Sequence, residues 1–165
     1  MARPRRPAYA YDPVDVTSGA AAGLSGLAYL EAYRDGRVPI ASMQATLAYD
    51  LVEVTEGRTR FRGRTADWLG NPLGSMHGGF TGSMLDSAMG CAVHSTLTSA
   101  ETYTTLEYKV NFTRALLADT GEVFADASVI HRGGRIATAE GRITDATGRL
   151  YAHATSICLI LKRED

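Results

Sequence analysis

Several things are scarce in this sequence, and each scarcity narrows the possibilities. Cys91 and Cys158 are the only two cysteines in 165 residues. They lie far apart and without metal-ligand spacing, so they read as buried core thiols of a protein kept in a reducing cytoplasm. No run of about 18 apolar residues occurs, so no membrane-spanning helix is expected. The basic start from Met1 to Pro7 leads into tyrosines and Asp12 rather than an apolar stretch, so no export signal is expected either. A formal net charge of −1 provides no overall field for nucleic acid or for an acidic membrane surface. The expected partner is therefore a small molecule. His94, His131 and His153 neither cluster nor take ligand spacing, and no metal site is expected of them.

What is present is ordinary globular usage, 45% apolar and 21% charged residues, enough for one domain with a real core. Residues 1 to 19, with Pro4, Pro7, Pro13 and Gly19, have no periodic core pattern and form a candidate extended arm, leaving 20 to 165 as a single domain. Leu24, Leu27, Leu30 and Tyr33 predict a short helix from Ser25 to Tyr33 that stops at Asp35-Gly36 and covers a sheet edge or a ligand opening. Alternation at Leu47, Tyr49 and Leu51 predicts a first strand. Arg58 to Thr65 predicts a second, after a turn at Glu56-Gly57.

The stretch Asn71-Pro-Leu-Gly-Ser-Met-His77-Gly78-Gly79 then runs without a break into small and apolar residues from Phe80 to Leu97. Asn71-Pro72 and Gly74 are turn chemistry, and Gly78 and Gly79 let backbone approach a ligand closely. A turn that delivers a helix start leaves the first backbone N–H groups without intrahelical partners. The Gly78 amide is thus a candidate oxyanion hole for a polarised carbonyl. Within the helix Phe80, Met84, Ala88 and Ala92 share one face. Gly82, Asp86, Gly90 and Val93 form a neighbouring face of small residues, on which Asp86 overlooks a hollow. A carboxylate among apolar neighbours carries a desolvation cost, which makes Asp86 a candidate catalytic group. At about 1.5 Å rise per residue, Asp86 lies roughly 12 Å along the axis from Gly78, too far for both to act on one carbonyl. Two such helices packed antiparallel across a twofold bring Asp86 of one chain to Gly78 of the other, so an obligate homodimer with shared sites is expected.

Beyond the helix, Thr104, Leu106, Tyr108, Val110 and Phe112 predict one apolar face of a long strand, with Thr105, Glu107, Lys109, Asn111 and Thr113 on the other. Three strands follow, at about Gly121 to His131, Arg135 to Thr144 and Leu150 to Leu161, joined by tight turns at Arg132-Gly133-Gly134 and at Asp145 to Gly148. Ala125, Ala127, Ala137, Ala139, Gly141, Ala152 and Ala154 are small where a sheet meets a close neighbour. The fold class expected is α+β: one curved antiparallel sheet wrapped around one long central helix.

These segments, in this order, make the chain similar to hotdog-fold acyl-CoA thioesterases of the phenylacetate-pathway (PaaI-like) thioesterase family, from about Ala20 to Leu161. The most specific part is Asn71, Leu73-Gly74, His77-Gly78-Gly79 and Asp86. Support comes from Thr105 to Arg114, from Arg132-Gly-Gly-Arg135-Ile-Ala-Thr-Ala-Glu and from Gly148-Arg-Leu-Tyr-Ala. The resemblance implies hydrolysis of an acyl-CoA thioester in a homodimer, assembling further as a tetramer, with no metal and no cofactor. It implies Asp86 as general base or nucleophile, the Gly78 amide on the thioester carbonyl, Asn71 placing the water or nucleophile and His77 orienting the loop. Gly79 would border the substrate, and Thr105 or Glu107, in a register the sequence leaves open, would lie near the attacking water. Arg114, Arg132 and Arg135 are candidates for the CoA phosphates, although Thr113-Arg114-Ala115-Leu116 lacks the proline common after that arginine. Plainer readings stand beside these: His77 as a helix cap, Asn71 as a turn residue, and the arginines as solvated charges. A dehydratase on the same fold needs a longer spacing between base and acid than His77 to Asp86 offers. A non-catalytic acyl-binding module would have no need of the intact Asn71, His77, Gly78 and Asp86 set. The acyl group stays open among aryl-acetyl, hydroxybenzoyl and medium-chain groups.

Overall fold

The structure is a computed structural model that describes residues 23–39 and 41–163. The expected N-terminal arm at 1 to 19 lies outside the described residues. Three α-helices and six strands follow in the order α1 (Gly26–Arg34), α2 (Ser42–Leu47), β1 (Tyr49–Thr55), β2 (Arg58–Arg64), α3 (Gly78–His94), β3 (Glu101–Phe112), β4 (Glu122–Arg132), β5 (Ile136–Asp145) and β6 (Leu150–Lys162). The strands form one antiparallel sheet in the order β1-β2-β4-β5-β6-β3, and α3 packs against every strand of it.

α3 is a helix because of its packing rather than its propensity. Gly78, Gly79, Gly82 and Gly90 each cost about 1 kcal/mol relative to alanine in a helix interior, less at its first positions. Met84, Leu85, Ala88, Met89, Ala92 and Val93 compensate, each reaching 0% exposure against the sheet. The sheet is cut to receive them. Its buried floor includes Ala125, Ala137, Ala139 and Ala152, and a Cβ on Gly141 would stand only 3.1 Å from Leu85 and Met89. The small residues expected beneath the helix therefore do that work. Tyr49, 1% exposed, ties β1 to α3 through a 3.0 Å hydrogen bond between its hydroxyl and Ser87 Oγ.

α1 begins at Ser25, whose Oγ accepts from the Ala28 amide at 3.3 Å, and ends at Asp35 just before Gly36. It covers the edge strand β1 and crosses the C-terminal end of α3 so closely that a Cβ on Gly26 would clash with the His94 carbonyl. His94 lies between Tyr29 and Tyr103, with ring centroids at 5.3 and 5.5 Å. Burial pushes its pKa down to about 4, so it packs there as a neutral ring.

Three expectations change. Leu47 is not the start of a strand: it closes α2, Ala48 turns left-handed at φ 54°, and β1 begins only at Tyr49. α3, which starts at Gly78 as expected, stops at His94 rather than continuing to Leu97, and Ser95 caps it by donating its hydroxyl to the Ala92 carbonyl at 2.7 Å. The regular alternation along β3 is broken by a bulge: Thr105 pairs with Cys158 and Glu107 with Ile157, which leaves Leu106 as the extra residue. Before the bulge the odd-numbered Tyr103 and Thr105 face α3. After it the even-numbered Tyr108 and Phe112 do.

Candidate active site

Positions 78, 82, 86 and 90 recur at every fourth residue and so form one row along α3. β3 runs antiparallel beneath that row and meets each position in turn. A Cβ on Gly78 would sit 3.1 Å from the Phe112 ring, one on Gly82 3.3 Å from the Tyr108 hydroxyl, and one on Gly90 2.8 Å from the Tyr103 hydroxyl. The expected hollow beside Asp86 is in fact occupied by these rings. Asp86 is the one member of the row with a side chain, and Thr105 Oγ1 donates to its Oδ1 at 3.1 Å. Burial raises the pKa of the half-buried carboxyl, and the Thr105 hydrogen bond pulls it part of the way back. Of Thr105 and Glu107, it is Thr105 that faces Asp86. The side chain of Glu107 is exposed, and its carbonyl accepts from Ser156 Oγ at 3.1 Å.

The turn before α3 is organised by Asn71. Its Oδ1 accepts from the amides of Leu73 at 2.9 Å and Ser75 at 3.2 Å, and its Nδ2 donates to Ser75 Oγ at 2.9 Å and to the Met76 carbonyl at 3.4 Å. Both ends of the side chain are thus engaged in the loop that delivers the helix. His77 is the N-cap: its backbone is extended at φ −64° and ψ 135°, and its Nδ1 accepts from the Gly79 amide at 2.9 Å. A Cβ on Gly79 would stand 3.0 Å from that Nδ1, so the second glycine makes room for the cap. The Phe80 amide donates to the His77 carbonyl at 3.0 Å. Of the first three amides of α3, only that of Gly78 has no hydrogen-bond partner among the described residues.

Gly78 opens onto a cavity of about 520 Å³ whose lining includes Asn71, Thr81, Phe112, Arg114 and Tyr151. Asp86 and Thr105 do not line it. One chain therefore carries two separated sets of candidate groups: Asn71, Gly78 and Arg114 around the cavity, and Asp86 with Thr105 farther along the helix. Arg132 is committed elsewhere. It pairs at 2.9 Å with Glu101, a carboxylate only 7% exposed that also holds Lys162 at 3.2 Å. Arg114 and Arg135 have no ion-pair partner among the described residues. Thr81, Tyr103, Tyr108 and Phe112 were not candidates in the sequence. The available signal was a fourfold small-residue row on the helix facing an aromatic-rich strand.

No gathering of three or more histidine, cysteine, aspartate or glutamate side chains suited to a metal occurs among the described residues. No described helix is long and apolar enough to cross a membrane.

A six-stranded antiparallel sheet folded around one long helix is the hotdog fold, and its neighbours among solved structures include thioesterases. The family model of the thioesterase superfamily matches residues 73–152, the segment that holds Gly78, Asp86 and Thr105, and the chain belongs to that superfamily. It is similar to a phenylacetic acid degradation-related protein of Ralstonia eutropha JMP134 classed as a thioesterase, with 27% identity over 79% of this chain and 98% of that one, at a TM-score of 0.72. A thioesterase family protein from Silicibacter pomeroyi is 26% identical over 82% of this chain and 99% of its own, with a TM-score of 0.72. A conserved protein of Pseudomonas aeruginosa is 33% identical over 74% of this chain and 95% of its own, with a TM-score of 0.69. A search of curated proteins returns no match.

Proposed function

We propose that the chain hydrolyses acyl-CoA thioesters at sites shared between two copies, each site taking Gly78 from one and Asp86 from the other. The observation that carries this reading is the separation of an unpartnered amide from a half-buried carboxylate: roughly 12 Å along one helix, at 1.5 Å rise per residue. A thioester carbonyl needs an oxyanion donor and an attacking water within about 3 Å of its own atoms. β3 supports the pairing of copies. It is an edge strand, and Leu106, Tyr108 and Phe112 along it are 56%, 45% and 58% exposed.

In this reading Thr105 holds one oxygen of Asp86 and the other takes a proton from water. The new C–O bond forms as the carbonyl electron pair moves onto oxygen, where the Gly78 N–H of the other copy stabilises it. Collapse of the tetrahedral centre breaks the C–S bond, and Asp86 returns its proton to the departing thiolate. Arg114 and Arg135, both without ion-pair partners among the described residues, are the guanidiniums suited to the CoA phosphates. Asn71 and His77 act through the loop, by placing the Gly78 amide.

Release of free thiol from phenylacetyl-CoA, hydroxybenzoyl-CoA and hexanoyl-CoA tests the activity, and no release from any of them contradicts it. Mixing two impaired variants tests the sharing. When Asp86→Asn and Gly78→Pro chains are refolded together in equal amounts, about half the dimers are mixed, and each mixed dimer has one site with both groups intact. Activity should recover to about a quarter of wild type. Activity no higher than that of the two parents, with mixed dimers demonstrated, places the site within one chain.

Thr105 sets the pH response. Its hydroxyl favours the ionised form of Asp86, so Thr105→Val raises that pKa further. The acid limb of kcat/KM should therefore move to higher pH in the variant. A limb that stays in place or moves lower contradicts Asp86 as the titrating base.

A further inference from the structure

The backbone contribution to an oxyanion site at this helix start is limited to one donor. The Gly79 amide is consumed by His77 Nδ1, at 2.9 Å, and the Phe80 amide by the His77 carbonyl, at 3.0 Å. The charge that develops on a carbonyl oxygen as it becomes tetrahedral is commonly met by more than one donor. Thr81 is a candidate for the second. It lies three residues after Gly78, on the neighbouring surface of the helix, and helical side chains lean back over the preceding turn. Gly78 has no side chain to stand between them, and both residues line the same cavity of about 520 Å³.

The lack of a partner singles out this hydroxyl. Thr81 is 4% exposed, and its hydroxyl has no hydrogen-bond partner among the described residues, whereas those of the comparably buried Thr59 and Ser95 each donate to a backbone carbonyl. Thr81 Oγ1 is not among the fully enclosed polar atoms left without a partner, so it keeps access to open space, which the cavity that Thr81 lines with Gly78 provides.

We infer that the Thr81 hydroxyl is a catalytic group of the thioesterase reaction: it donates a second hydrogen bond, beside the Gly78 amide, to the thioester carbonyl oxygen as that oxygen becomes negative. This inference rests on the hydrolytic reading above. The hydroxyl keeps its proton throughout, and the electron pair gained by the oxygen returns to the carbonyl as the C–S bond breaks.

The test compares Thr81→Val with Thr81→Ser, using whichever of phenylacetyl-CoA, hydroxybenzoyl-CoA and hexanoyl-CoA the wild type cleaves fastest. Thr81→Val should lower kcat by about 10–10²-fold, a smaller loss than for a preorganised backbone donor, with KM changed less than about threefold. Its Tm should stay close to that of wild type, since the hydroxyl makes no bond to the described residues of the fold. Thr81→Ser, which keeps the hydroxyl, should restore most of kcat. An unchanged kcat in Thr81→Val overturns the inference, as does a rise in KM at constant kcat. So does an equal loss in both variants accompanied by a lower Tm. Asp86→Asn measured alongside separates the two levels. If it is inactive while Thr81→Val matches wild type, only the role of Thr81 falls. If it matches wild type, the site reading itself falls.

Discussion

Asp86→Asn is expected to retain the fold and lose about 10²–10⁴-fold in thioester turnover, the range set by loss of a positioned general base. The amide is nearly isosteric with the carboxylate, and its oxygen still accepts from Thr105 Oγ1, the hydroxyl that now lies 3.1 Å from Asp86 Oδ1. The variant is therefore a test of proton chemistry rather than of packing. It also carries a stability signature. Burial raises the pKa of Asp86, so in the folded state the ionised form is the costly one. Below the unfolded value of about 3.9 both states are protonated and the cost is absent. It develops as the pH rises through the folded pKa and persists above it. Asp86→Asn should thus raise Tm at pH 8, with the gain shrinking toward pH 4. Thiol release across pH and thermal melts at both ends check the two halves of this expectation. Turnover near wild type refutes the assigned role, and a lower Tm at pH 8 refutes an unfavourably buried carboxylate.

Gly78→Pro should lower kcat by about 10²–10³-fold by removing the amide that, of the first three in α3, has no partner among the described residues. Gly78 is the first helical residue, where proline is tolerated because its missing N–H is one the helix does not use. The preceding His77, at φ −64° and ψ 135°, already has the extended backbone that a following proline requires. The proline ring enters the space facing Phe112, 3.1 Å from where a Cβ would stand, so the Phe112 side chain must give way by a few tenths of an ångström. Gly78→Ala meets the same ring but keeps the N–H, so most activity should survive in it. An unchanged kcat in Gly78→Pro removes the oxyanion donor from Gly78. Equal losses in the proline and alanine variants assign the effect to Phe112.

What the amino-acid sequence determined by itself was local. Asn71-Pro72 and Gly74 announced a turn, His77-Gly78-Gly79 a helix start, and Arg132-Gly133-Gly134 and Asp145 to Gly148 the hairpins, because turn and cap chemistry depends on neighbours a few residues away. The alanines under α3 were legible for a related reason, since a sheet that must receive a helix closely has to be small at every inward position. The class of fold followed from these elements and their order. What only the tertiary structure decided involves residues distant in sequence. The bulge at Leu106 arises from pairing with Cys158 and Ile157 of β6, and it alone turns Thr105, not Glu107, toward Asp86. Strict alternation places those two residues on one face, and a bulge is a property of two strands rather than one. The commitment of Arg132 to Glu101 likewise depends on the end of β4 and the start of β3, separated in the sheet by β5 and β6, lying at the same end of it, where the long Arg132 side chain can reach across. The filling of the glycine row by Tyr103, Tyr108 and Phe112 depends on α3 lying against β3, and the helix sequence by itself presents that row only as empty space. Which hydrogen bonds remain unmade, the Gly78 amide and the Thr81 hydroxyl among them, is decided last, once every competing donor and acceptor has been placed.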